Sequence, residues 1–122
     1  MLALSPRSRV YLAPGITDMR KGFNGLTGVV ESVIRQDPLS GHVFAFCNRR
    51  RNMIKLLCWD GSGLWVAAKR LERGTFPWPA PAEGSEEIVL EADELALILG
   101  GIDPLTAPRR KWWRRSASKV AS

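Results

Sequence analysis

Apolar residues fall in short blocks, and the spacing within each block predicts an element. Arg9 to Ala13 (RVYLA) is an apolar run of strand length that stops at Pro14-Gly15, a turn signal. Phe23, Leu26, Val30, Val33 and Ile34 then recur at helical spacing. This predicts one long helix over 19–36, with those side chains on its buried stripe. Thr17 or Asp18 is placed to cap its start, because a short side-chain oxygen satisfies free N–H groups there. Asp37-Pro38 ends it, since the residue before proline avoids helical geometry. Gly22, Gly25 and Gly28 fall inside the span, and each costs ~1 kcal/mol relative to alanine. Either the backbone approaches the sheet closely there, or the start of the helix is irregular.

Three apolar runs follow: Val43 to Cys47, Met53 to Trp59 and Leu64 to Ala68, joined by NRRRN and DGSG. Such spacing predicts an antiparallel meander. Both parities of the runs are apolar, so both faces of the sheet are expected to be covered. One helix covers one face, which leaves the other for the later helix or a partner. Phe76-Pro77-Trp78-Pro79-Ala80-Pro81 is stiff and extended and is unsuited to a central strand. Ile88 to Leu90 reads as a short strand. Ala92 to Leu99 reads as a short helix with Leu95, Ile98 and Leu99 on one side, stopped by Gly100-Gly101. The fold class predicted is α+β: a small antiparallel β-meander, one long helix packed on it and a short C-terminal helix.

At 122 residues the chain is one domain with room for an extension, and it is large enough to need no metal or disulfide staple. Its apolar runs are far short of the ~20 residues of a membrane span, and its start lacks the apolar stretch of a secretory signal, so a cytoplasmic protein with no membrane partner is expected. Charge subdivides the chain. Residues 1–79 carry +7, 80–108 carry −7, and 109–122 carry +6 with no acid. The expected organisation is a basic α+β body over 1–79, a proline-rich link with an acidic short helix packed on that body over 80–105, and a basic tail over 106–122, disordered when free.

Catalytic chemistry finds little footing. Two-metal phosphoryl transfer needs convergent carboxylates, and Asp18, Asp60 and Asp103 are the candidates. Each has a local explanation: a helix cap, the start of a DG turn and a loop before proline. His42 is the single histidine, and Cys47 and Cys58 lack metal-ligand spacing, so no metal or other cofactor is expected. The cysteines are also predicted to be free thiols. Across the expected hairpin they stand roughly four to six strand positions apart at ~3.4 Å each, beyond disulfide reach. The glycines of GFNGLTG fit no phosphate-loop fingerprint.

The cations are better organised. Arg49, Arg50 and Arg51 sit on the predicted hairpin tip. Lys69, Arg70 and Arg73 leave the third run of the meander on that same side, with Lys55 between them in sequence. Arg20 and Lys21 open the first helix, where free N–H groups also favour anions. Such a cluster neutralises phosphates and binds duplex DNA with little sequence preference. In the tail, Arg109, Arg110, Lys111, Arg114 and Arg115 surround Trp112 and Trp113, a pattern suited to phosphates and unpaired bases. It also suits docking on the chain's own acidic segment. Within that segment, Glu91 and Glu94 beside Leu95 and Ile98 offer an apolar stripe with a charged rim, the composition of a protein-binding surface.

Several blocks occur together and in order. These are Asp18-Met19-Arg20-Lys21-Gly22-Phe23 with Gly25-Leu26; Asp37-Pro38 with Ser40-Gly41 and Phe44-Ala45-Phe46; Lys55-Leu56-Leu57 with Trp59-Asp60-Gly61 and Gly63; Lys69-Arg70-Leu71-Glu72-Arg73-Gly74 with Phe76; and Gly101-Ile102-Asp103. Over residues 9–104 the chain resembles the accessory proteins encoded by the second open reading frame of IS66-class insertion sequences. That resemblance implies a role in DNA transposition beside a separate transposase that performs strand transfer, and it supplies no catalytic residues. The expected function is therefore non-catalytic support of transposition, with DNA and the transposase as partners. A protein–protein adaptor without DNA contact is the alternative, and a metal-dependent nuclease a more distant one.

Overall fold

The computed structural model describes residues 8–80 and 87–104. Five strands form one sheet: β1 (Arg9–Leu12), β2 (Val43–Cys47), β3 (Met53–Trp59), β4 (Leu64–Arg70) and β5 (Ile88–Glu91), in the order β4-β3-β2-β1-β5. β2, β3 and β4 are the predicted meander, with Val43 opposite Cys58 and Met53 opposite Arg70. The sheet is mixed rather than purely antiparallel. β1 lies parallel to β2, and β5 is antiparallel to β1. A parallel neighbour requires a crossover, and residues 13–42 with their helix supply it.

β2 is the central strand, and all five of its residues are buried, which explains its apolar residues at both parities. Tyr11, Phe44, Phe46 and Leu57 face one layer with Leu26 and Val30. On the opposite face Val10, Leu12, Val43, Ala45, Ile54 and Leu56 pack with Leu95, Ile98 and Phe76. The second face is thus closed by the short C-terminal helix α2 (Ala92–Leu99) together with the proline-rich stretch. Phe76 is a core residue, anchored by its N–H to the Arg51 carbonyl, and Trp78 packs beside it.

The helix predicted over 19–36 is much shorter. α1 spans Phe23–Val29 and runs on into a π-helical stretch, Val30–Ile34. Residues before Phe23 are committed elsewhere: buried Thr17 donates its N–H to the Cys47 carbonyl, and Asp18 accepts the Arg20 N–H in its own turn. Asp18 therefore does not cap the helix; Gly22 stands at that position without a side-chain cap. At the far end Arg35 and Gln36 both donate N–H to the Val30 carbonyl, and Arg35 turns left-handed at φ 62°. The π turn admits one extra residue per turn and rotates the stripe. Val33 is consequently half exposed although its spacing placed it inside. Close approach to the sheet does not explain the three glycines. A Cβ at Gly22 or Gly28 would meet nothing within 4 Å, and at Gly25 it would meet the Lys21 side chain.

α2 begins with a capping box in which the Glu94 carboxylate accepts the Glu91 N–H at 2.9 Å while the Glu91 side chain accepts an N–H from the first turn. It ends at Gly101, φ 79°, with Gly101 N–H on the Ile98 carbonyl and Ile102 N–H on that of Leu97. No helix among the described residues is long and apolar enough to cross a membrane.

Candidate nucleic-acid interface

Three loops meet at one end of the sheet. The segment after β1 is tied to the end of β2, since Ala13 N–H bonds the Ala45 carbonyl and Thr17 N–H that of Cys47. The β2–β3 turn, 48–52, closes through Arg51 N–H on the Asn48 carbonyl. The segment after β4 returns along that turn, with Leu71 N–H on the Asn52 carbonyl and Phe76 N–H on that of Arg51. The arrangement brings Arg20, Lys21, Arg49, Arg50, Arg51, Lys55, Lys69, Arg70 and Arg73 to one end of the molecule. Asp18 and Glu72 are the carboxylates of these loops. The clustering expected across the hairpin is therefore present, and the first loop joins it.

The nine cations are not equivalent. Arg20 holds Asp18 through a fork of hydrogen bonds, the shortest at 2.7 Å, and this pairing drives the Asp18 carboxyl well below its ordinary range. Lys55 Nζ donates to the Lys21 carbonyl at 3.0 Å, tying β3 to the loop before α1. Lys69 Nζ donates to the Leu99 carbonyl at 2.7 Å, placing positive charge at the C-terminus of α2, where the helix dipole favours it. Arg51 is half-buried. Its guanidinium donates to the Gly15 carbonyl and lies 5.7 Å from the centre of the Trp78 ring. Arg70 makes a loose, exposed ion pair with Glu72 at 3.6 Å. Lys21, Arg49, Arg50 and Arg73 are exposed and carry no such side-chain bond among the described residues. Those four, with Arg70, are the cations best able to reach a ligand.

The turn is built by residues that sequence reasoning passed over. Asn48 Oδ1 accepts the N–H groups of Asn52 and Met53, and its Nδ2 donates to Asn52 Oδ1. The available signal was the pair of asparagines flanking the three arginines. Trp78 was unmarked as well: its indole N–H donates to the Ala13 carbonyl while its face receives Arg51.

The other expected sites fall elsewhere. Leu95 and Ile98 are completely buried against the sheet, so those two side chains belong to the core and not to a contact surface. Glu91 and Glu94 are joined in the capping box. Arg109, Arg110, Lys111, Trp112, Trp113, Arg114 and Arg115 lie outside the described residues. Asp60 organises the β3–β4 turn. It accepts N–H groups from Ser62 and Gly63, and Oδ2 accepts the Trp65 indole N–H at 2.7 Å. Those donors, led by Ser62, lower its pKa from 3.8 to about 2. His42 Nδ1 accepts the Arg9 N–H, and its ring meets that of Tyr11 edge-on. Cys47 and Cys58 are free and buried, and burial pushes both thiols up.

A family model described as "IS66 Orf2 like protein" matches residues 8–109. Two relatives come from Sinorhizobium fredii (strain NBRC 101917 / NGR234). "Uncharacterized protein y4hO" is 39% identical over 112 residues, which cover 92% of this chain and 95% of the relative. "Uncharacterized protein y4jC" is 34% identical over 121 residues, covering 99% and 100%. No solved structure matches the chain.

Proposed function

Since this chain belongs to the family of IS66 Orf2-like proteins, we propose that it supports the transposition of an insertion sequence as a non-catalytic accessory that holds DNA by its phosphate backbone. The observation that carries the reading is the convergence of three separate loops and the strand ends beside them, which together gather nine cations at one end of the sheet. Exposed Arg49 and Arg50 project from a tip that Asn48 stiffens, so they are presented without the entropy cost of ordering a loose loop. Contacts of this kind set affinity and salt dependence and carry little sequence preference. The tail cations, from Arg109 to Arg115, are taken to add to the same term. Transposase contact is the second partnership, with Glu91 and Glu94 its candidate residues and no part for Leu95 or Ile98.

The test is a titration of the full chain with duplex DNA across a range of salt. Affinity should fall steeply as salt rises. Arg49→Ala, Arg50→Ala and Arg73→Ala combined should flatten the plot of log affinity against log salt by up to about 2.7 units, at ~0.9 per lost phosphate contact. Deleting residues 109–122 should flatten it further. Absence of DNA affinity at low salt, together with capture of the element's transposase, would replace this reading with that of an adaptor.

A further inference from the structure

We propose that β4 is a dimerisation edge, through which two copies of the chain pair antiparallel and continue one sheet into the next. The proposal stands apart from DNA binding and rests on backbone geometry. β4 is the outermost strand on its side, and its seven residues pair with β3 without interruption. The Leu71 N–H to Asn52 carbonyl bond and the Asp60 N–H to Gly63 carbonyl bond fix which residues face inward. With the alternation of an antiparallel ladder, Trp65, Ala67 and Lys69 turn their backbone groups to β3, while Leu64, Val66, Ala68 and Arg70 turn theirs outward. No described residue bonds those outward groups. Edges are ordinarily blunted by proline, a bulge, short length or charge. β4 has no proline and no bulge, and its charges are confined to Lys69 and Arg70. The other edge, β5, has four residues and ends in an acid.

At the Leu64 end of this edge the apolar side chains are partly open. Trp65 is 43% exposed and Phe23 50% exposed, and they line a shallow concavity with Leu64 and Val66. The sequence of the strand selects a second copy as occupant because it is self-complementary about Ala67. A two-fold axis there sets Ala67 opposite Ala67, Val66 opposite Ala68, Trp65 opposite Lys69 and Leu64 opposite Arg70. Small residues lie at the axis, Arg70 meets an apolar side chain of the other copy, and Lys69, whose ammonium is held by the Leu99 carbonyl of its own chain, sets its aliphatic stem opposite Trp65. The outward pairs Leu64–Arg70 and Val66–Ala68 then fall in hydrogen-bonded positions and Ala67–Ala67 in a non-hydrogen-bonded one. Parallel pairing would instead put Lys69 and Arg70 of the two copies side by side, so charge selects the antiparallel arrangement.

The experiment uses full-length, DNA-free protein at high salt, with mass measured by sedimentation equilibrium. The expected result is a concentration-dependent dimer. Ala68→Pro removes an outward N–H without touching the β3 ladder, and it should give a folded monomer. Ala67→Cys should cross-link to itself on oxidation, because Cα atoms of a non-hydrogen-bonded pair stand ~4.5 Å apart, within disulfide range. Val66→Cys, which faces Ala68, should not. Buried Cys47 and Cys58 do not compete. A monomer at the highest soluble concentration overturns the proposal, and so does a dimer that Ala68→Pro leaves intact. If Ala68→Pro fails to fold, the Ala67→Cys result decides: cross-linking upholds the edge and its absence rejects it.

Discussion

Three adjacent arginines on one turn do two different things, and the difference is set by what carbonyls and rings lie within reach. Arg51 occupies φ 60°, donates its N–H to Asn48, offers its carbonyl to Phe76 and lays its guanidinium between Gly15 and Trp78. Arg49 and Arg50 are exposed. Arg51→Ala should therefore cost about 1–2 kcal/mol, the sum of a modest hydrogen bond and a cation–π contact. Arg49→Ala and Arg50→Ala should stay within ~0.5 kcal/mol of the parent. Urea midpoints of the three single variants check the ranking, and equal midpoints would refute the assignment of Arg51 to the scaffold. Asp60 gives a second residue-scale outcome. Its carboxyl titrates at about 2 in the folded chain against 3.8 ordinarily. A depressed native pKa stabilises the fold above the unfolded value, and the contribution disappears as pH falls through the window between them. Asp60→Asn, which does not titrate, should lose stability less steeply than the parent between about pH 4 and pH 2. Thermal melts across that range measure it, and Asp18, lowered by Arg20, adds to the parent's slope in the same direction.

At the scale of elements, α1 shows how an amphipathic pattern over-reaches. Leu26 and Val30 are buried as their spacing demands, but Phe23 and Val33 are half exposed because the π turn and the committed loop before Phe23 shorten and rotate the stripe. The competing hydrogen bonds of Thr17 and Asp18 are tertiary or local to the turn, and no periodicity reports them. Gly28 follows from the same geometry. It lies inside α1 with an open Cβ position, so Gly28→Ala should raise stability by about 0.5–1 kcal/mol. Gly25→Ala should gain less, since its Cβ would stand 3.0 Å from the Lys21 side chain. Chemical denaturation of the pair checks this, and a larger gain at Gly25 would contradict it. The strands were legible nearly to the residue, because β2, β3 and β4 are apolar runs punctuated by turn chemistry. The partner of β1 was not legible, because an apolar strand carries no mark of parallel or antiparallel pairing. The site was half legible. RRR on a turn and KR-L-ER after a strand announce a cationic end, whereas the diversion of Lys55, Lys69 and Arg51 to backbone carbonyls depends on elements 30 to 36 residues away in sequence meeting in space.

For the whole molecule the decisive property is where charge sits, not how much there is. A net charge of +6 alone attracts DNA weakly to any face, and every cation removed would then matter equally. Localisation at one end makes a sharper demand. Arg9 begins β1 at the opposite end, opposite Glu91, and is exposed. Replacing Arg9 with alanine changes net charge as much as replacing Arg49. Counterion release counts phosphates actually contacted, and the screening length at physiological salt, ~8 Å, is too short for a charge at the far end to substitute for one at the interface. Loss of Arg49 should thus flatten the salt dependence of duplex binding by about 0.9 units, while loss of Arg9 should leave the slope unchanged and lower affinity only slightly. Parallel titrations of the two single variants, matched in charge and checked for folding by circular dichroism, measure the difference. Equal slopes would mean that DNA responds to the total charge of the chain, and the convergence of the three loops would then have no part in binding it.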